Sequence, residues 1–225
     1  GPGRGALTDL LVGQAQEYRA VEIDRDLVPF LQARHPTLQV INADILSADL
    51  NQILSEGPPW RVIGNLPYNI SSPLLAVITT FLIEHPRRIA DLHFMLQREM
   101  ADRLSAQPGT KAWGRLSVML QLQFNIEHIL DVPPESFSPP PKVNSSVIRM
   151  RPITDSKYEV DLQSLDRVLR LAFTGRRKRQ SNSLKTLELD WSDIDLDPGL
   201  RADNVSLENY VILAQKLASN PAAQP

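Results

Sequence analysis

Strand-like and helix-like segments alternate along this chain as far as Pro152, and then the strands stop. That change of pattern constrains the fold more than any composition figure. Ala20–Asp24, Leu38–Asp44, Arg61–Asn65 and Ala90–Leu96 read as buried strands. Helices are expected over Ala6–Gln16, Arg25–Arg34, Ser72–Ile83, Glu99–Leu104 and Trp113–Leu122. Strands that alternate with helices imply an α/β fold with a mostly parallel, doubly wound sheet. Asn125–Val132 and Val143–Met150 are strands joined by a proline-rich loop, Pro133 to Lys142, with no helix between them, so an antiparallel edge is expected. Beyond Pro152, Asp161–Thr174, Lys178–Leu187 and Ser206–Ala218 read as helices. Leu162, Leu165, Val168, Leu169 and Ala172 recur at helical spacing and mark one buried face. Two domains follow: an α/β domain over 1–153 and a small all-helical domain over 154–225, with a disordered tail expected from Asn220.

With 225 residues, the chain is long enough for a medium domain plus a small one. Hydrophobic content of 42% and charged content of 22% suit a globular protein. No apolar stretch approaches bilayer-spanning length, so no membrane partner is expected. The chain has no cysteine, which excludes disulfides and thiolate metal sites and fits a reducing, cytosolic setting. The four histidines lack metal-ligand spacing, and no metal is expected. A net charge of −2 gives no global nucleic-acid signal. The local signal is the basic run Arg176-Arg177-Lys178-Arg179, read either as a solvated helix face or as phosphate contacts.

Ligands of open α/β sheets sit at the carboxyl ends of the strands. There the third strand ends in Asn65-Leu66-Pro67-Tyr68. An amide oxygen and a backbone carbonyl can accept hydrogen bonds from an exocyclic amine, and a Tyr ring can stack on a flat base. Ordinary turn chemistry is the rival reading. Gly1-Pro2-Gly3-Arg4-Gly5 leads into a helix, and such glycines let a backbone approach a ligand closely. Glu22 follows roughly 20 residues later, a spacing at which an acid accepts ribose hydroxyls in dinucleotide folds. Asp44 ends the next strand, as a helix cap or as an acceptor for an adenine amino group. Glu22, Asp44 and Asn65 together give one sheet edge three polar groups beside a glycine loop. Phe137, in the proline-rich loop, either packs beneath that loop or stacks on a flipped base.

Gly1–Thr8, Val21–Asp24, Asn65–Ser71, His93–Gln97, Lys111–Val118, Phe137–Val143 and the Arg-rich stretch Phe173–Leu184 together resemble, in order, the bacterial small-subunit ribosomal RNA adenine dimethyltransferases. The resemblance implies a Rossmann-like methyltransferase sheet and S-adenosylmethionine as donor. It also implies two adjacent adenosines of a small-subunit rRNA hairpin loop as acceptors, each N6 taking two methyl groups. The partner would be rRNA in a pre-ribosomal particle, met in the cytoplasm by a monomer. By position, Gly1 and Gly3 would line the methionine side of the donor, Glu22 would hold its ribose, Ile23 would pack on its adenine and Asp44 would bind the adenine amine. Asn65 and the Leu66 or Pro67 carbonyl would grip the target amine, while Tyr68 and Phe137 would stack the target base. Arg176 to Arg179 would bind RNA.

The family carries a helix and first strand ahead of the glycine loop. The chain opens at Gly1 inside that motif, so an upstream segment is expected to be missing and donor binding to suffer. Two rivals remain: the related large-subunit enzyme of macrolide resistance, and a non-catalytic ribosome-assembly factor that binds RNA.

Overall fold

The computed structural model describes residues 1–155 and 157–219; the tail from Asn220 lies outside the described residues. The described chain gathers into two compact units, one formed by Gly1–Arg98 with His128–Pro152, the other by Glu99–Glu127 with the described residues from Ile153 on.

In the first unit, α1 (Thr8–Leu11) follows the glycine loop. It is shorter than the expected Ala6–Gln16, because the chain turns through Gly13 at φ +90°. Strands β1 (Arg19–Glu22) and β2 (Gln39–Asn42) are separated by α2 (Leu27–Arg34) and pair in parallel, Ala20 opposite Val40. Their core is small: Ala20, Leu31 and Leu38. α3 (Leu50–Ile53) follows, capped by Asp49, whose side chain accepts the Asn51 N–H.

The remaining strands form a second, larger sheet. β3 (Trp60–Asn65) leads into α4 (Ser71–Glu84), and β4 (Ile89–Gln97) pairs with β3 in parallel. α4 buries Leu74, Leu75, Ile78, Phe81 and Leu82, the i, i+1, i+4, i+7, i+8 stripe of a helix lying on a sheet. β4 buries Leu92, Phe94 and Leu96 on alternate positions. After α5 (Arg98–Leu104) and α6 (Arg115–Gln121) come β5 (Phe124–Val132) and β6 (Ser145–Pro152). The order is β3-β4-β6-β5, with β6 antiparallel to β4. The antiparallel member is thus β6, inside the sheet, and β5 takes the edge.

An ion cluster centred on the buried Asp91 ties this sheet together. Asp91 is 1% exposed. It accepts two bonds from Arg61 of β3, at 2.7 and 3.0 Å, and one from Arg149 of β6, at 2.9 Å. Burial pushes the Asp91 carboxyl up, but the bonds from Arg61 and Arg149 outweigh it and leave the group below the usual carboxylate range.

The second unit is helical. α7 (Leu162–Thr174) and α9 (Leu207–Ala218) flank α8 (Gln180–Ser183) and short 3-10 turns. Asp161 and Ser206 cap α7 and α9 through the Ser164 and Asn209 N–H groups. α7 buries Leu165, Val168, Leu169 and Ala172, the face read from the sequence. The sequence pattern places all of 1–153 in the first domain, yet 99–127 joins the C-terminal helices. Trp113, Val118 and Leu122 lie in their core, and the Trp113 indole donates to the Val205 carbonyl at 3.0 Å. The expected helix Lys178–Leu187 also breaks. It becomes α8 and a 3-10 turn over Lys185–Leu187, which ends at Glu188 with φ +48°.

Candidate active site

The expected polar residues do end their strands, but on two sheets rather than on one edge: Glu22 closes β1 and Asp44 follows β2 in the two-stranded sheet, while Asn65 closes β3 in the four-stranded one. Glu22 ends β1 and is 5% exposed. Its Oε2 accepts the Gly3 N–H at 3.0 Å and its Oε1 accepts the Asp24 N–H at 3.0 Å. Gly3 adopts φ +56° and Gly5 φ +92°, conformations that glycine enters without strain. Glu22 therefore fastens the glycine loop to the end of β1. Asp24 Oδ1 accepts the Asp26 N–H at 2.9 Å in the turn ahead of α2, whose N-cap, Asp26, makes no side-chain cap bond. Ile23, between them, is 67% exposed.

Asn42, which carries no signal in the sequence pattern, donates through Nδ2 to the carbonyls of Glu22 at 2.8 Å and Ile23 at 3.3 Å. It pins the end of β1 against β2. Asp44 is exposed just past β2. Its Oδ1 accepts the Leu46 N–H at 2.9 Å in a turn; the helix that follows, α3, is capped by Asp49, so Asp44 caps no helix.

Asn65 ends β3 beside Met95 of β4, exposed to solvent. Leu66 is buried and donates its N–H to the Met95 carbonyl at 3.3 Å. The Pro67 carbonyl accepts the Ile70 N–H at 3.0 Å and the Ser71 hydroxyl at 3.3 Å. Gly64 is a further requirement: a Cβ there would lie 2.8 Å from Leu66 Cδ2 and 3.4 Å from Phe94 Cδ1. A larger residue would force the Leu66 side chain, packed beneath the turn that presents Asn65, to shift. The Tyr68 ring is 38% exposed, and its hydroxyl lies 2.9 Å from Ser145 Oγ at the start of β6. Phe137 is half-buried and closes a 3-10 turn, Pro134–Ser136, donating to the Pro134 carbonyl at 3.1 Å.

A cavity of about 480 Å³ lies between β1 and β3. Gly1, Gly3, Asn65 and Leu66 meet at it, over an apolar wall that includes Val62, Ile78 and Phe94. Glu22, Ile23, Asp44, Tyr68 and Phe137 stand outside its lining.

The basic run divides. Arg176 is half-buried; its Nη2 donates to the Lys111 carbonyl at 2.6 Å, and its Nε lies 3.8 Å from Asp203. It holds the turn before Trp113. Arg177, Lys178 and Arg179 are exposed, on a turn rather than a helix. Lys111, Arg115, Phe173 and Arg176 also line a cavity of about 620 Å³ within the second unit. Arg115 is paired there with Asp166, its Nε 2.7 Å from Oδ1. Among the described residues, no group of three or more His, Asp or Glu is arranged to hold a metal, and no helix is long and apolar enough to cross a membrane.

A Rossmann-like fold with a glycine loop fastened to an acid-ended strand, and Asn-Leu-Pro-Tyr closing the strand beyond, defines the methyltransferase class. Residues 1–218 match the model of the ribosomal RNA adenine dimethylase family, and the chain belongs to that family. It is 44% identical to the ribosomal RNA small subunit methyltransferase A of Cupriavidus pinatubonensis, over 98% of this chain and 82% of that protein. Identity to the protein of the same name from Pseudomonas aeruginosa is 42%, over 98% and 83%. Among solved structures, a dimethyladenosine transferase from Plasmodium falciparum shares the fold, with a TM-score of 0.77 at 23% identity over 97% of this chain and 88% of that one. The 23S rRNA methyltransferase ErmE matches with a TM-score of 0.67 at 27% identity, over 97% and 89%.

Proposed function

We propose that this chain transfers methyl groups from S-adenosylmethionine to N6 of two adjacent adenosines in a small-subunit rRNA hairpin loop, two groups to each. The observation that carries the reading is the Asn65–Tyr68 turn closing a parallel strand, in a chain of this family. Identities of 42–44% to proteins named for the small subunit, against 27% to ErmE, support the small-subunit RNA over the large. An intact Asn65–Tyr68 turn argues against a purely binding role. The expected setting is a cytoplasmic pre-ribosomal particle, met by a monomer.

The residues present fit the donor. Gly1 and Gly3 allow close backbone approach, and Ile23 offers an exposed aliphatic surface for a purine face beside the carboxylate of Glu22. Glu22 already accepts two N–H groups, but a carboxylate has about four acceptor positions, so it can serve loop and ribose together. Asp44 has Oδ2 to receive an amine. The bound donor would supply an electrophilic methyl group.

The chain's own work is orientation. An adenine amine is a poor nucleophile because its lone pair delocalises into the ring. Two oxygen acceptors favour a pyramidal nitrogen with a localised lone pair. Asn65 supplies one. The second is the Leu66 carbonyl rather than that of Pro67, which already accepts two bonds. No strong general base is needed, because the amine proton becomes acidic once nitrogen is alkylated, and catalysis rests on positioning. Tyr68 and Phe137 stack the target base, and Arg177, Lys178 and Arg179 contact phosphates, with Arg176 bracing their turn. Mass spectrometry of small-subunit rRNA incubated with protein and donor tests the proposal. Dimethyladenosine at two neighbouring positions is expected; unmodified rRNA, or methylation of large-subunit RNA alone, would refute it.

A further inference from the structure

The hydroxyl of Tyr68 reaches 77 residues along the sequence to Ser145, from the end of β3 past β4 to the start of β6. Ser145 is 1% exposed and sits opposite Gln97 in the β4–β6 register. The strand start it occupies is held from several sides. The Arg98 N–H donates to the Asn144 carbonyl at 3.0 Å. The neighbouring Ser146 hydroxyl donates to Asp131 Oδ1 at 2.7 Å, and Asp131 is also bonded by His128 at 2.9 Å and faced by Arg98 at 3.3 Å. Tyr68, by contrast, lies in a turn between β3 and α4 with its ring partly in solvent.

We infer that Ser145 is a positioning residue for methyl transfer: its hydroxyl fixes the direction in which the Tyr68 ring points by tying its far end to the start of β6. The inference rests on the stacking role given to Tyr68 above. A Tyr ring turns about two torsions. Its hydroxyl lies on the Cβ–Cγ axis, so a hydrogen bond there leaves rotation about that axis to packing and removes the swing about Cα–Cβ, which would carry the whole ring away from the base. Ser145 also directly follows the loop that carries Phe137, so one anchor sets Tyr68 against the base of the segment bearing the second aromatic ring. A buried serine needs a partner for its hydroxyl in any case, and a merely structural bond would be felt in stability and not in the orientation of a bound base.

The test uses an rRNA hairpin carrying 2-aminopurine at one target position, whose fluorescence is quenched when the base stacks on an aromatic ring. The wild-type complex is expected to be quenched. Ser145→Ala and Tyr68→Phe should each raise the emission of the saturated complex, Ser145→Thr should restore the quenching, and the double variant should be no brighter than either single one. On unmodified hairpin, Ser145→Ala should lower kcat roughly fivefold with KM little changed, the scale of one neutral hydrogen bond. Quenching in the wild type that Ser145→Ala and Tyr68→Phe leave unaltered would overturn the role of Ser145 and leave the proposed function standing. Saturable binding with no quenching in the wild type would overturn the stacking role of Tyr68 and, with it, this inference.

Discussion

The two halves of the candidate site rest on unequal supports. The donor half, with Gly1, Gly3, Glu22, Ile23 and Asp44, is built on the two-stranded β1–β2 sheet, whose buried core is Ala20, Leu31 and Leu38. The target half, Asn65 to Tyr68, closes β3 of a four-stranded sheet in which Leu92, Phe94, Leu96, Ile148 and Met150 are almost wholly buried. The target half is backed by packing, through buried Leu66 and the β4–β6 core, although β3 itself is an edge strand with no buried residue. The donor half is held by polar side chains, Glu22 on Gly3 and Asp24, and Asn42 on the end of β1. Packing resists single substitutions better than a handful of hydrogen bonds does, so the donor half is the more fragile and the more adjustable.

Removal of chemistry from the rigid half should give the largest effect. Asn65→Ala is expected to slow methyl transfer by about 3 kcal/mol in the transition state, on the scale of deleting one preorganised polar group. Single-turnover assays read this directly, and near-normal transfer would remove Asn65 from the mechanism.

Asp91→Asn strikes the support rather than the site. Loss of charge-assisted bonds to Arg61 and Arg149 should cost about 2 kcal/mol of stability, moderated because Arg61 is 60% exposed. The folded carboxyl lies below its ordinary value of 3.8, so its contribution is present above that pH and fades as pH falls through the depressed folded value. Denaturant melts should show the variant losing less stability than wild type across that acid range. Parallel acid curves would break the link between Asp91 and the sheet.

Hydrogen exchange compares the halves without mutation. Amides of β1 and β2 should exchange before those of β4, which lies inside its sheet. Equal protection would show the halves to be one cooperative structure.

The smallest effects belong to the basic turn. Replacing Arg177, Lys178 or Arg179 should reduce the slope of log affinity against log salt by about 0.7–0.9 for each phosphate no longer neutralised. Arg176→Ala should instead lower the melting temperature, since its guanidinium holds the Lys111 carbonyl. A slope change confined to Arg176 would invert this division.

Within both halves, some residues are legible in the sequence and others are not. Strand ends carry their chemistry in local pattern, so Glu22, Asp44 and Asn65 can be placed from alternation alone, and the α7 stripe from its spacing. Partners distant in sequence leave no such trace. Nothing near Ser145 or Asn42 announces a bond to Tyr68 or to the end of β1. Trp113, Val118 and Leu122 read as core without saying whose core, and so the sequence pattern assigns 99–127 to the wrong partners. The basic run reads as helix because Arg and Lys favour helices, whereas the chain turns through it between α7 and α8.

Calorimetric titration of S-adenosylmethionine into Glu22→Ala and Asn65→Ala, side by side, tests the division of labour most directly. Glu22→Ala should weaken donor binding by roughly 1.5–3 kcal/mol, the scale of bonds to a charged acceptor. Asn65→Ala should leave donor binding close to wild type. Equal losses in both variants, or an unchanged affinity in Glu22→Ala, would contradict the assignment of donor and target to the two separate sheets.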